Sequence, residues 1–213
     1  DGQNYFYSRG GQHIGTIWGH GAYLAPDWSA DFLHRMGLYL AARHHGLDAD
    51  QARDFTQEDF RQLTPEDQAR LQVLVSQEIK ENRFDPETGT LTFTENQTEA
   101  FHALTGYYTG LFQEGNDRMA LQPGIVRTEA EGRLVTAFFA WLSWAAGTRR
   151  PGAEYTYTTN WPFDPLVGNE PLPDFLMWSI VSVILLIFAI AASLFVYQRY
   201  VGREEYGSHL TLD

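Results

Sequence analysis

The sequence predicts an all-α domain with one small β-hairpin, followed by a single transmembrane helix. Three observations predict it. Apolar residues recur at helical spacing in four stretches, each opened by a capping residue. Phe84 to Phe93 alternates apolar residues with threonines around the turn Asp85-Pro86-Glu87-Thr88-Gly89. Phe175 to Tyr197 runs for 23 residues without a charge, and as a helix that rises ~34 Å, enough for the ~30 Å hydrocarbon core.

The first helical stretch is Trp28 to about His45, with Phe32, Leu33, Met36, Tyr39 and Leu40 on its apolar face. Asp27 or Ser29 caps its start and Gly46 stops it. His34, His44 and His45 lie in or beside it. They lack His-x-x-x-His spacing and an accompanying ligand carboxylate, so they read as a solvated face and helix-end charge. Asp48 to Leu63 is polar and predicts short helices or turns. Thr64-Pro65-Glu66-Asp67 opens the second helix, which runs to about Asn82 through Leu71, Leu74, Val75 and Ile79.

Thr94-Glu95-Asn96-Gln97 is a capping box, and the helix after it carries Ala100, Phe101, Leu104, Tyr107, Tyr108, Leu111 and Phe112 up to Gly115. Met119 to Ile125 is irregular, and Met119 reads as a core methionine. Thr128-Glu129-Ala130-Glu131 repeats the capping box. The fourth helix then carries Leu134, Val135, Phe138, Phe139, Trp141, Leu142 and Trp144 to Gly147. It is apolar on several sides and should pack on more than one neighbour.

Two stretches resist a helical reading. Gly10 to Trp28 reads GGQHIGTIWGHGAYLAPDW, with five glycines and two tryptophans in nineteen positions. It is too apolar for a linker and too glycine-rich for a long helix, so it predicts an ordered loop held against something. Residues 1 to 28 as a whole predict loop and short extended pieces. The other stretch is RPGAEYTYTTNWPFDPLVGN, Arg150 to Asn169, which predicts an extended connector over 148–174. The predicted organisation is a domain over 1–147, that connector, a transmembrane helix over 175–197 and a polar tail over 198–213.

The chain's formal charge is −12, which argues against nucleic acid and against peripheral attachment to anionic lipid. Its 213 residues suffice for one domain plus an appendage, and 15% aromatic content lets that domain bury large surfaces. Glu170 and Asp174 precede the apolar segment while Arg199 and Arg203 follow it, which predicts a cytoplasmic C-terminus and an external main domain. No signal-peptide pattern opens the chain at Asp1, so an upstream segment is expected. No nucleophile elbow, zincin helix, phosphate loop or dinucleotide fingerprint is present, and Glu204 and Glu205 read as a solvated pair.

The glycine-rich stretch resembles the start of the periplasmic domain of quinol-dependent nitric oxide reductases, and the run ending in Asn169 resembles the same family. The two motifs together are far more specific than either alone. The resemblance implies a cytochrome c-like helical domain that has lost its haem. In cytochrome-c-dependent relatives a Cys-x-x-Cys-His motif precedes a Gly-Glu-Gly-Ala-Tyr run. Here Gly19-His20-Gly21-Ala22-Tyr23 matches that run, and the haem motif falls on Gly11-Gln12-His13-Ile14-Gly15. The chain contains no cysteine, so covalent c-type haem attachment is excluded.

The resemblance further implies the reaction 2 NO + 2 e⁻ + 2 H⁺ → N₂O + H₂O, in denitrification or NO detoxification at a bacterial inner membrane. Haem b, haem b3 and non-haem iron would lie in the rest of the enzyme. No catalytic residue is expected within this stretch. It also implies calcium at Gly21 and Tyr23, shared with the membrane domain, though His20 stands where the relatives carry glutamate. The implied partners are the haem-bearing transmembrane domain, the lipid bilayer and quinol, with a homodimer left open. Arg149, Arg150 and Trp161, between domain and span, are expected to face the membrane part. Two other readings stand beside this one: a separately encoded accessory subunit, and a single-pass acidic module that docks a basic partner.

Overall fold

The computed structural model describes residues 1–209, with side chains through Tyr200. It divides into two compact units, Asp1–Glu170 and Pro171–Asp213. The four long helices of the first unit fall where the sequence predicts them. They are α2 (Trp28–His45), α5 (Pro65–Lys80), α6 (Glu95–Glu114) and α7 (Glu129–Gly147).

Their boundaries follow from capping chemistry. Thr94 and Thr128 each accept the backbone N–H three residues on, while Gln97 and Glu131 reach back, completing both boxes. Thr64 caps α5 with Pro65 at its first turn. Gly46 closes α2 in the left-handed conformation. Between α2 and α5 the polar stretch forms two one-turn helices, α3 (Ala49–Asp54) and α4 (Gln57–Gln62), each with its own capping box on Asp48 and Thr56. The hairpin is β1 (Phe84–Asp85) and β2 (Thr90–Leu91), antiparallel, with Phe84 opposite Leu91.

Helix α7 is the hub. It packs on α1 (Gly2–Ser8), α2, α5 and α6, as its many-sided apolar surface requires. The core between them is aromatic. Trp28 of α2 stacks on Phe139 of α7 with ring centroids 5.3 Å apart and planes 7° from parallel. Phe32 stacks on Tyr108 at 6.0 Å, and Phe112 closes the cluster against Trp28 at 5.1 Å. All five rings are fully buried. Truncating any one to alanine removes a large buried area and costs about 3–5 kcal/mol. Met119 is half-buried and packs against this core, as expected of a structural methionine.

Two regions differ from expectation. The N-terminus is not loop but the helix α1, seven residues long, without a side-chain cap. Seven residues are too few to show a periodic pattern. What holds α1 is tertiary: Phe6 is buried edge-on to Phe139 at 5.5 Å, and the Tyr5 hydroxyl donates to Ile125 O at 3.1 Å. Thr148 to Glu170 is not an extended connector. It folds as part of the first unit, with a 3₁₀ turn at Pro165–Val167 that buries Leu166 and Val167 against α2 and α5.

The second unit contains α8, Pro173–His209, which starts before and ends beyond the predicted 175–197 span. Its residues Pro173–Tyr200 are long and apolar enough to cross a membrane. Ser179 and Ser193 donate their hydroxyls to carbonyls one turn back, and Ser182 does so three residues back. The few polar groups of the apolar face are thereby satisfied within the helix. The side chains of Arg203, Glu204 and Glu205 lie outside the described residues.

Candidate functional site

The glycine-rich loop is a rigid object, and Asp27 makes it one. One oxygen of its carboxylate accepts from Ser29 N and Ala30 N, both at 3.0 Å, and from the Ser29 hydroxyl, capping α2. The other accepts from the Thr16 hydroxyl at 2.7 Å and Gly19 N at 2.8 Å, gathering the loop onto the helix start. Main-chain bonds reinforce this: Thr16 N donates to Pro26 O, Trp28 N to Thr16 O, and Ile17 and His20 exchange both bonds. The indole N–H groups of Trp18 and Trp28 donate to Leu142 O and Ile14 O, both at 3.1 Å.

Two glycines are required by this packing. Gly15 has φ +145°, and a Cβ there would collide with the buried Trp28 indole. Gly21 has φ +135°, and a Cβ there would lie 2.8 Å from Gln12 O and 2.9 Å from Gly15 O. The positions matching a haem motif, Gly11 to Ile14, form a 3₁₀ turn. Just past Gly21 the loop turns two large side chains outward. Tyr23 is 84% exposed and Leu24 75%. Gly21 and Tyr23 therefore do different things, one allowing a close backbone approach and the other presenting a ring to the outside.

The second motif is pinned by a different chemistry. The Asn169 side-chain amide donates to Ala146 O at 3.0 Å and Pro162 O at 2.9 Å, and its oxygen accepts from the buried Lys80 ammonium. Burial, helped by Arg149, pulls the Lys80 ammonium down to about 8 from its ordinary range, with Asp164 opposing. Asp164 accepts from Leu166 N and bonds the His34 ring at 2.9 Å. Asn160 accepts from Thr156 N, donates its own N–H to the Thr156 hydroxyl at 2.8 Å, and ties Glu170 O at 3.1 Å.

The two motifs meet. A Cβ on Gly19 would lie 3.5 Å from the Trp161 ring, while the neighbouring Trp18 packs instead on Trp141 of α7 at 5.9 Å. Arg149 and Arg150 are exposed, with Arg150 beside the rings of Tyr155 and Tyr157 at 5.9 and 5.8 Å. Of the three histidines of α2, His34 pairs with Asp164 at 2.9 Å and His44 with Glu78 at 2.8 Å, whereas the buried Nδ1 of His45 has no hydrogen-bond partner among the described residues. Among the described residues no group of three or more His, Asp or Glu could hold a metal ion.

Sequence reading missed Lys80 and Asn169 and saw Asp27 only as a cap. For Asp27 a signal existed, since a lone carboxylate directly after a glycine-rich run is the natural acceptor for that run's free N–H groups. For Lys80 and Asn169, 89 positions apart, no local pattern pairs them.

The arrangement is one of presentation: two pinned loops, side by side, displaying aromatic and arginine side chains. No curated protein matches the chain. Residues 1–163 match the NorB cytochrome c-like family, the cytochrome c-like domain of nitric oxide reductase, and the chain belongs to that family.

Proposed function

We propose that this chain is the haem-free, extracytoplasmic cap of a quinol-dependent nitric oxide reductase, with α8 as a membrane span and its C-terminal end in the cytoplasm. The observation that carries the reading is the glycine loop. The segment that bears haem-attaching cysteines in cytochrome-c-dependent relatives is here a cysteine-free turn, and Tyr23 and Leu24 after it are exposed. Covalent c-type haem is excluded from this chain by its lack of cysteine, and a quinol source of electrons agrees with that. The role left to the domain is to dock on the haem-bearing membrane domain through Tyr23 and Leu24. The backbone on either side of them is already hydrogen-bonded, so covering them costs mainly their own rotamer freedom.

A shared calcium ion fits this loop as a minority contribution. Calcium takes six to eight oxygens, with carboxylates common among them. The loop's own carboxylate, Asp27, has both oxygens engaged within the loop. What remains near Gly21 and Tyr23 is neutral: the exposed phenol and backbone carbonyls. Tyr23 and the Gly21 backbone would therefore hold one edge of such an ion, and the membrane domain would supply the charge. The ion's chemistry there is electrostatic bridging. This chain's residues orient the interface and carry out no redox step.

The test is purification in mild detergent through a tag on this chain, followed by a reduced-minus-oxidised spectrum and intact mass. A b-type haem spectrum on one polypeptide far heavier than 24.3 kDa is the expected result. The same spectrum with a separate large polypeptide makes the chain an accessory component. A lone chain without haem overturns the reading.

A further inference from the structure

The first unit holds a cavity that neither pinned loop uses. It has a volume of about 320 Å³ and lies between α2, α6 and the chain running from α3 into α4. That is the small end of the range for ligand pockets, ~300–1,000 Å³. Every lining residue belongs to the Asp1–Glu170 unit. Leu38, Ala52, Phe55, Ala103 and Leu104 supply its apolar lining, and Leu38, Ala52 and Leu104 are buried.

The polar lining is dominated by one arginine. The guanidinium of Arg35 is fixed at three points. Nε donates to Asp31 Oδ2 at 2.9 Å, Nη2 donates to the Tyr107 hydroxyl at 2.7 Å, and the group stands over the Tyr107 ring, 3.9 Å from its centroid. Nη1 has no hydrogen-bond partner among the described residues and is not closed off from solvent. A guanidinium braced in this way has already lost its rotamer freedom, so a ligand that bonds Nη1 need not order it.

The other charged groups of the lining are largely occupied. Asp54 gives both carboxylate oxygens to Arg53, and Asp31 gives one oxygen to Arg35 and to the Tyr108 hydroxyl at 2.7 Å. His34 bonds Asp164 through Nδ1 at 2.9 Å. Arg53 is exposed, and so are its partners Asp50 and Asp54. Such pairs are weak, so Arg53 can turn toward an incoming anion at little cost. An added cation would instead face two arginines.

We propose that this cavity binds a small organic monocarboxylate with an apolar, ring-sized body. The carboxylate sits on Arg35 Nη1 and the body lies against Leu38, Phe55 and Leu104. A bare inorganic anion would leave the apolar lining uncovered. A molecule without an acceptor would cover Nη1 and leave its N–H groups unbonded. The site lies wholly in the first unit and is independent of the reductase reading.

Fluorine NMR on the full chain in detergent tests it, with para-fluorobenzoate as the probe and protein-free micelles as the blank. The expected result is saturable broadening of the probe resonance, weakened roughly tenfold or more by Arg35→Gln. Arg35 also braces Asp31 and Tyr107, so a second variant leaves it in place. Ala103→Phe fills the cavity and should weaken binding as much. Arg133→Gln, which removes an exposed arginine of α7 outside the cavity, should leave binding unchanged. The neutral para-fluorobenzamide and the ringless trifluoroacetate should each bind roughly tenfold more weakly or worse. No saturable binding by the unaltered chain overturns the site. Binding that survives Ala103→Phe puts the probe elsewhere and overturns it too. Equal binding of the amide overturns the carboxylate, and equal binding of trifluoroacetate overturns the apolar body.

Discussion

The loop Gly10–Trp28 and the loop Thr148–Glu170 are both irregular, both rigid and in contact with each other, but they are held by different means. The first is organised by one ionised carboxylate at a helix start, with every partner within eleven positions of it. The second is organised by two amides of its own, Asn160 and Asn169, of which Asn160 bonds within the loop and Asn169 reaches the Ala146 carbonyl of α7 and the buried Lys80 ammonium 89 positions away. A local anion-centred hub leaves the loop's tip free to display Tyr23 and Leu24. A distributed hub ties the whole loop to α5 and α7, fixing the segment that leads into α8. The first design makes a presented finger and the second an anchored exit.

The comparison breaks most severely at Gly15. Gly15→Ala combines a strained φ with a collision against Trp28, which is fully buried and stacked on Phe139 and so cannot yield. The expected loss is roughly 3–5 kcal/mol, read as a drop in the midpoint of tryptophan-detected unfolding of the full chain in detergent. A loss under about 1 kcal/mol would mean that the loop relaxes and is not a rigid finger.

Asp27 separates the two jobs of the anion. Asp27→Ala removes the cap and the loop's gathering point together and should cost roughly 2–4 kcal/mol. Asp27→Asn keeps the cap, since asparagine caps as well as aspartate. It also turns an NH₂ toward the donors of Thr16 or Gly19. About half the loss should remain, with protection of the Gly19 amide against hydrogen exchange selectively reduced. Equal losses in the two variants would show that the loop needs the charge and the cap does not matter.

The contrast also explains what the sequence could reveal. The four long helices, the hairpin and the ordered character of the glycine loop were legible, because caps, periodicity and glycine density are local signals. So was the absence of c-type attachment, from the missing cysteines. The fold of Thr148–Glu170 was not legible. Asn169 acts by bonding Ala146 O at the end of α7 and the Lys80 ammonium at the end of α5, which are in place only once those helices have packed, while Asn160 closes the loop on its own Thr156 and Glu170 O. The same limit hid α1, a seven-residue helix that Phe6 holds by contact with Phe138 and Phe139 of α7, far along the sequence.

Asn169→Leu tests the distributed hub. It strips the Lys80 ammonium of its side-chain partner and leaves Ala146 O and Pro162 O without their donor. The expected cost is roughly 2–3 kcal/mol, with hydrogen-exchange protection lost across 156–169 and retained in the glycine loop. Loss in both loops would mean that they form one cooperative unit.

Lys80 gives the second loop a pH signature. Its folded value is about 8 against an ordinary 10.5, because burial disfavours the ammonium. Between those values the unfolded chain binds more protons, so stability rises with pH through this window and is flat below it. By pH 10 the gain should reach roughly 2 kcal/mol. Above pH 10 the buried phenol of Tyr108 and the half-buried one of Tyr107, both pushed upward by burial, act in the opposite direction, since they ionise first in the unfolded chain. Lys80→Met should abolish the rise between pH 8 and 10. A rise that persists in the variant would assign it to another group.

The smallest effect on stability belongs to the most prominent side chain. Tyr23→Ala removes a ring that is 84% exposed, so the unfolding midpoint of this chain should move by no more than about 0.5 kcal/mol. A finger that costs nothing to cut in isolation but matters in the assembled enzyme is a finger made for a partner. On the proposed capping role, Tyr23→Ala should lower the yield of an intact haem-bearing complex in detergent, while Val73→Ala, an exposed apolar control on α5, leaves it unchanged. Equal yields for the two variants would separate the rigidity of the loop from any docking role. The gathered hydrogen bonds of Asp27 would then need no explanation beyond starting α2.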